Sequence, residues 1–186
     1  MNPIAWDLGD GVVVRTFTPD DDAELFALID ANRERLRPWM LWEPSTKQVA
    51  DTRTFIESCL ASELDMEGNG IYVGGALAGG IGLSIDPIGN SGSIGYWLGG
   101  AYEGRGIVTR SCARFLDFAF DELRLHRVSL SAAVANARSR AVALRLGMRE
   151  EGVHRDAGRV ADGYLDLVWY GILEDEWRAR RGSLGG

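Results

Sequence analysis

One segment restricts the architecture of this chain more than any other. Ser93-Ile-Gly-Tyr-Trp-Leu98 reads as a strand, and glycines follow at 99, 100, 104 and 106. Apolar residues then return at Val108, Cys112, Phe115, Leu116, Ala119, Phe120 and Leu123. Those offsets trace one face of an amphipathic helix. A strand, a glycine-rich loop and a helix start in that order make an anion site. The first helical N–H groups have no partner within the helix, and the macrodipole adds positive potential there. Glycines let a phosphate come close to the backbone.

Two familiar phosphate loops fit this segment badly. Gly99 and Gly104 have the spacing of a G-x-x-x-x-G-K-[ST] loop, but Arg105-Gly106 stands where Lys and a hydroxyl residue belong. Gly104-Arg-Gly-Ile-Val-Thr109 ends in Thr where a dinucleotide fingerprint needs its third glycine. The segments before the loop look like hairpins, not a strand-helix-strand unit. Taken alone, the loop is also compatible with an ordinary glycine-rich turn that binds nothing.

The chain has 186 residues, which predicts one domain over 1–186 with its core at about 11–177. The net charge of −7 argues against general nucleic-acid binding. Cys59 and Cys112 lie in helical patterns among apolar residues, so they read as buried reduced thiols, with no disulfide or zinc spacing. No metal site is expected. The first residues lack a basic n-region and an apolar h-region, and no apolar run reaches membrane-spanning length, which predicts a soluble cytoplasmic protein with no membrane partner.

Gly11–Phe17 reads as the first strand. Thr18 caps the helix that follows, with Pro19 at its first position, and that helix ends before Pro38. Leu36–Trp42 is a loop carrying Trp39 and Trp42. A helix over about 48–63 turns Phe55, Ile56, Cys59 and Leu60 inward. Ile71–Val73 and Ala76–Ile85 make a hairpin, and 93–98 is the strand before the loop. After the long helix, 128–134 alternates as a strand. Asn136 caps a short helix over 137–146 that stops at Gly147, and Met148–Val153 and Leu165–Ile172 form the last strands. The tail from Arg180 is expected to fray. The fold class is therefore α+β, a three-layer arrangement with a mixed, mostly antiparallel twisted sheet of about seven strands flanked by helices.

This element order, with two motifs, resembles the GNAT superfamily of acyl-CoA N-acyltransferases, and within it the branch of Rim-type ribosomal-protein N-terminal acetyltransferases. The first motif is the pyrophosphate loop Q/R-x-x-G-x-G/A, here Ala101-Tyr-Glu-Gly104-Arg-Gly106, with Ala101 where the family usually has Gln or Arg. The second is N-x-x-S followed by L-G-[FM] and E-G, here Asn136 to Ser139, Leu146-Gly147-Met148 and Glu151-Gly152. Leu36–Trp42 adds similarity at the level of the branch.

The resemblance implies acetyl-CoA or CoA as cosubstrate, without a metal. It implies pyrophosphate contacts from Gly104, Arg105, Gly106, Ile107, Val108 and Thr109, with Arg110 a further candidate cation. It places the pantetheine arm along Tyr96, Trp97, Leu98 and Gly99, where a bulge opens the strand edge, and gives Asn136 a cofactor contact beside its capping role. Ser139 would protonate the departing thiolate. No base is placed by motif. Asp156, Asp86 and Glu151 are candidates acting through water, and Asp156 is carried forward with Ser139 as catalytic. His126 and His154 read as structural, and Ser91 and Ser93 lack the setting of a nucleophile. Trp39 and Trp42 border the acceptor site or a subunit interface, or are core aromatics, so a homodimer stays open.

The partner expected is an amine, on a protein N-terminus or a small molecule. An α-amine has a pKa near 7.7–8.0 against about 10.4 for lysine, so the lack of an obvious base leans toward α-amines. Two other readings remain, a CoA-binding regulatory module with little catalysis and a nucleotide-binding α/β domain.

Overall fold

A computed structural model describes residues 3–62 and 66–184. Among the described residues eight strands form one sheet: β1 (Ala5–Asp7), β2 (Val12–Thr16), β3 (Met66–Val73), β4 (Ala76–Asp86), β5 (Ser91–Leu98), β6 (Arg127–Ala133), β7 (Arg149–Val160) and β8 (Gly163–Leu173). Their spatial order is β1-β2-β3-β4-β5-β6-β8-β7. Every neighbouring pair is antiparallel except β5 and β6. Between the strands run α1 (Asp22–Asp30), α2 (Arg33–Leu36), α3 (Val49–Ala61), α4 (Ile107–Asp117) and α5 (Ala137–Arg145), and α6 (Glu174–Leu184) follows β8. No described helix is long and apolar enough to cross a membrane.

Alternation along the strands makes the three layers. Consecutive residues point to opposite faces, so Ile71 joins the core beneath α4 and α5 while Tyr72 joins the one beneath α1, α2 and α3. On the first side α4 buries Cys112, Phe115 and Leu116 of the expected stripe, but at its start Ile107 is buried and Val108 only partly so. On the second side Phe17, Leu25, Ile29, Leu36 and Ile56 close over Tyr72 and Leu77.

Several expectations need correction. The sheet has eight strands, not about seven, because β1 pairs with β2 through Ala5↔Arg15, Trp6↔Val14 and Asp7↔Val13. Three residues are too few to show alternation, yet Trp6 sets its ring 5.1 Å from Phe115 and 5.3 Å from Phe118. The last two strands are longer than Met148–Val153 and Leu165–Ile172. They form a hairpin whose outer part is polar and exposed, which hides the period-two signal. On α3 only Thr52 and Ile56 are buried, Cys59 is half-buried, and Phe55 and Leu60 stand 41% and 46% exposed. The tail does not fray at Arg180. It belongs to α6, where Trp177 Nε1 donates to Asp117 at 2.9 Å and Arg181 pairs with Asp117 at 2.8 Å and Asp121 at 2.6 Å.

The feature that positions the site is the single parallel contact. β5 and β6 pair only at Ser91↔Arg127, Gly92↔Val128 and Ser93↔Ser129. Beyond that point Ile94–Leu98 and Leu130–Ala133 diverge. β5 stays fully paired with β4 on its other side, from Ser91↔Asp86 to Leu98↔Gly79. The backbone groups of β5 that face β6 therefore open into a gap in the middle of the sheet.

Candidate active site

The gap leads directly into the glycine-rich loop. Gly104 and Gly106 adopt φ of +76° and +69°, the left-handed region that glycine enters without strain, and a Cβ on either would meet no atom within 4 Å. Gly106 is the N-cap of α4 and brings no side chain to it. The first internal bond of the helix runs from the Arg110 N–H to the Gly106 carbonyl at 3.0 Å. The N–H groups of Ile107, Val108 and Thr109 thus precede the helical ladder and have no acceptor within it, the arrangement that suits an anion.

The other arm of the gap ends in the α5 N-terminus. Asn136 caps it through Oδ1, which accepts the Ser139 N–H at 3.1 Å. Ser139 sits in the first turn, and its Oγ lies 2.8 Å from the Tyr96 hydroxyl, which comes from β5 across the gap. Burial pushes the Tyr96 phenol above its ordinary range, outweighing the Ser139 hydrogen bond, so the phenol stays protonated.

A groove of about 2500 Å³ runs through these parts. Tyr96, Trp97, Leu98, the stretch from Gly104 to Thr109, Asn136, Ser139, Trp39 and Trp42 all line it. Gly99 lies just beneath, buried, with its N–H donating to the Ala78 carbonyl at 2.8 Å. Arg110 lines the groove while paired to Asp10 at 2.7 Å. Asp156 is not on the lining. It is exposed on β7 with φ of +53°, and its N–H donates to Asp166 Oδ1 at 2.9 Å. The other two acids weighed as bases are also engaged elsewhere. Asp86 accepts the N–H groups of Ile88 at 3.1 Å and Gly89 at 3.0 Å, closing the β4–β5 turn. Glu151 holds Arg127 in a two-pronged ion pair that keeps its carboxyl below the usual range. His154 stacks at 5.3 Å on Trp169.

Three elements of the groove escaped the sequence reading. Arg35 of α2 crosses to the loop and pairs with Glu103 at 2.6 Å, and Arg138 of α5 reaches the same carboxylate. A Cβ on Gly100 would fall 2.7 Å from Arg35 Nε, so this guanidinium lies against the segment where Ala101 offers no cation. Glu67 of β3 lines the groove on the other face of the sheet and accepts a hydrogen bond from Ser84 of β4. The loop bearing Trp39 and Trp42 is anchored by Glu43, whose side chain is fully buried. It takes Arg33 at 2.9 Å and Arg37 at 3.1 Å. Burial alone would raise the Glu43 carboxyl, but the two guanidinium groups hold it below its usual range. Trp42 then leans on Trp97 with ring centroids 5.8 Å apart. None of these pairings has a local sequence signal, except that charged residues cluster around Trp39.

Comparison with known proteins agrees with this geometry. Residues 12–149 match the model of the acetyltransferase (GNAT) domain. YdaF of Bacillus subtilis (strain 168), whose name provisionally places it among ribosomal N-acetyltransferases, is 37% identical over 175 residues, covering 91% of this chain and 95% of its own. The ribosomal-protein-serine acetyltransferase of Escherichia coli (strain K12) is 28% identical over 156 residues, 81% of this chain and 86% of its own. The crystal structure of the microcin C7 self-immunity acetyltransferase MccE in complex with acetyl-CoA and AMP superposes with a TM-score of 0.84. It is 26% identical and covers 89% of this chain and 94% of that one. The opened strand edge, the uncapped helix start and these matches lead to one assignment: the chain belongs to the GNAT acetyltransferases and moves the acetyl group of acetyl-CoA onto an amine.

Proposed function

We propose that the acceptor is the α-amine of a protein N-terminus, a ribosomal protein being the class to which the relatives' names point. The observation that carries this is the floor of the groove. On the face that bears Trp97, the pairs Gly82↔Gly95 and Ser84↔Ser93 carry only small residues, while the Trp97 ring covers Gly80 and the Glu67 backbone lies against Gly82. A Cβ on Gly95 would meet nothing within 4 Å. The open strip over Gly95, walled by Trp39, Trp42, Phe55 and Trp97, has room for an extended peptide end. A cytoplasmic setting, where such acceptors and acetyl-CoA meet, goes with this reading.

In this reading the pantetheine amides pair with the free edge of Tyr96–Leu98 and the diphosphate rests on the N–H groups from Gly104 to Thr109. A backbone N–H of the β5 edge polarises the thioester carbonyl. The neutral amine attacks the carbonyl carbon, a C–N bond forms, the C–S bond breaks and its electron pair stays on sulfur. Ser139 donates its proton to that sulfur. The proton lost by the amine leaves through water. Glu67 is the carboxylate on the floor that can receive it, in place of Asp156, which lies off the groove. A weak base suffices for an α-amine, since about a tenth or more of it is already neutral near pH 7.

The test is competition between two peptides of equal length, one with a free N-terminus and no lysine, the other N-blocked with one lysine, followed by mass spectrometry. The free N-terminus is expected to take the acetyl group at least tenfold faster near pH 7. Its rate should climb with pH, reach half its maximum near the amine pKa of about 8 and level off above about pH 9 as the amine loses its proton. Faster acetylation of the lysine would overturn the α-amine assignment.

A further inference from the structure

The hydroxyl of Ser139 has one side-chain partner in the groove, and that partner comes from the opposite arm of the sheet. Tyr96 Oη lies 2.8 Å from Ser139 Oγ and 3.3 Å from the Ser139 carbonyl oxygen. The Ser139 N–H is already taken by Asn136 Oδ1. Asn136 and Tyr96 therefore hold Ser139 from two directions. The contact spans the gap where β5 and β6 have parted, so it is not a by-product of strand pairing.

A tyrosine hydroxyl has one proton to give and can accept in return. Directed at Ser139 Oγ, it occupies a lone pair of the serine and leaves the serine proton to point into the groove. With the donor reversed, the serine proton would be spent on the phenol and unavailable to sulfur. The single phenol proton has two acceptors on Ser139, Oγ at 2.8 Å and the carbonyl oxygen at 3.3 Å, and the shorter contact favours the first arrangement.

We propose that Tyr96 is a positioning residue for the acyl-transfer step. Its hydroxyl donates to Ser139 Oγ and thereby directs the Ser139 proton at the thioester sulfur. This rests on the role given to Ser139 above. The balance is complete without a tyrosinate: sulfur gains the Ser139 proton, the amine proton leaves through water toward Glu67, solvent water reprotonates Ser139, and Tyr96 keeps its own.

The experiment is a double-mutant cycle of Tyr96→Phe and Ser139→Ala, read as kcat, KM for acetyl-CoA and the Kd of CoA by calorimetry. Tyr96→Phe retains the ring, and its melting temperature serves as the control for folding. The expected result is a fall in kcat of about tenfold, with KM and Kd within twofold. The double variant should be no slower than Ser139→Ala alone, because residues acting as one unit are not additive. Independent, multiplying losses would overturn the proposal, as would an unchanged kcat in Tyr96→Phe beside a slow Ser139→Ala. A loss of CoA affinity that accounts for the whole rate effect would also overturn it, since the ring would then be acting as a wall. If Ser139→Ala itself turns over normally, it is the role of Ser139 that fails.

Discussion

The carboxylate of Asp21 takes both terminal nitrogens of Arg15, at 2.8 Å and 2.6 Å, together with the N–H and hydroxyl of Thr18 and the phenol of Tyr72. Burial by itself would raise its pKa, but the Arg15 pair and the hydrogen bonds from Thr18 and Tyr72 hold it well below the usual carboxylate range. A carboxyl that is more acidic folded than unfolded stabilises the protein above the unfolded pKa, near 3.9, and loses that stabilisation as the pH falls toward the folded value. Asp21→Asn is therefore expected to cost about 2 kcal/mol at pH 7, below the about 3–5 kcal/mol of a fully buried broken pair because Arg15 is a third exposed. The cost should shrink between about pH 4 and pH 2. Urea unfolding at both ends of that window checks it, and a cost independent of pH would show that Asp21 acts only as a helix cap. At this scale the local roles were legible: Thr18 with its capping acid, and Asn136 with Ser139, each sit within three residues of their partner. Tyr96 with Ser139, Arg35 with Glu103 and Glu67 with Ser84 were not, because their partners lie 43, 68 and 17 residues away.

The elements around the site differ in how openly the chain announces them. The helix start at Gly106 was readable because glycine at left-handed φ leaves a mark in composition. Gly106→Val should keep the fold at a cost of about 1–2 kcal/mol for that backbone conformation. It should weaken CoA binding at least tenfold by titration, because the added branches occupy the open space that the diphosphate needs. Undiminished affinity would place the diphosphate elsewhere. The tryptophan loop between α2 and α3 was readable only as a loop. Its anchor, Glu43 beneath Arg33 and Arg37, joins residues that could as well have been a solvated charged face. Glu43→Gln should loosen that loop and raise the KM for a peptide acceptor severalfold while leaving the KM for acetyl-CoA within twofold. A change confined to acetyl-CoA would separate the loop from the acceptor. β1 and the polar outer reach of the β7–β8 hairpin were hidden because shortness and exposure erase the alternation by which strands are recognised.

Across the whole molecule, β1 to β5 form one antiparallel block and β6 to β8 another, joined by three residue pairs. The resemblance made the opening predictable, whereas alternation in the sequence says nothing about where two strands stop pairing. Hydrogen exchange tests the consequence for ligand binding. Amides of Ile94–Leu98 that face the gap should exchange quickly in the free protein and slow at least tenfold with bound CoA, while those paired to β4 change little. Uniform protection across β5 would mean that the donor lies outside the gap. An unpaired sheet edge is ordinarily a hazard, since it offers a template to any passing strand and so invites aggregation. Here that edge is recessed between two blocks of one sheet, out of reach of the rim of another folded protein. A slender amide-bearing chain can enter it. A placement that would admit pantetheine thus also acts as a steric filter, letting the protein keep an open template for strand addition without exposing it to its neighbours.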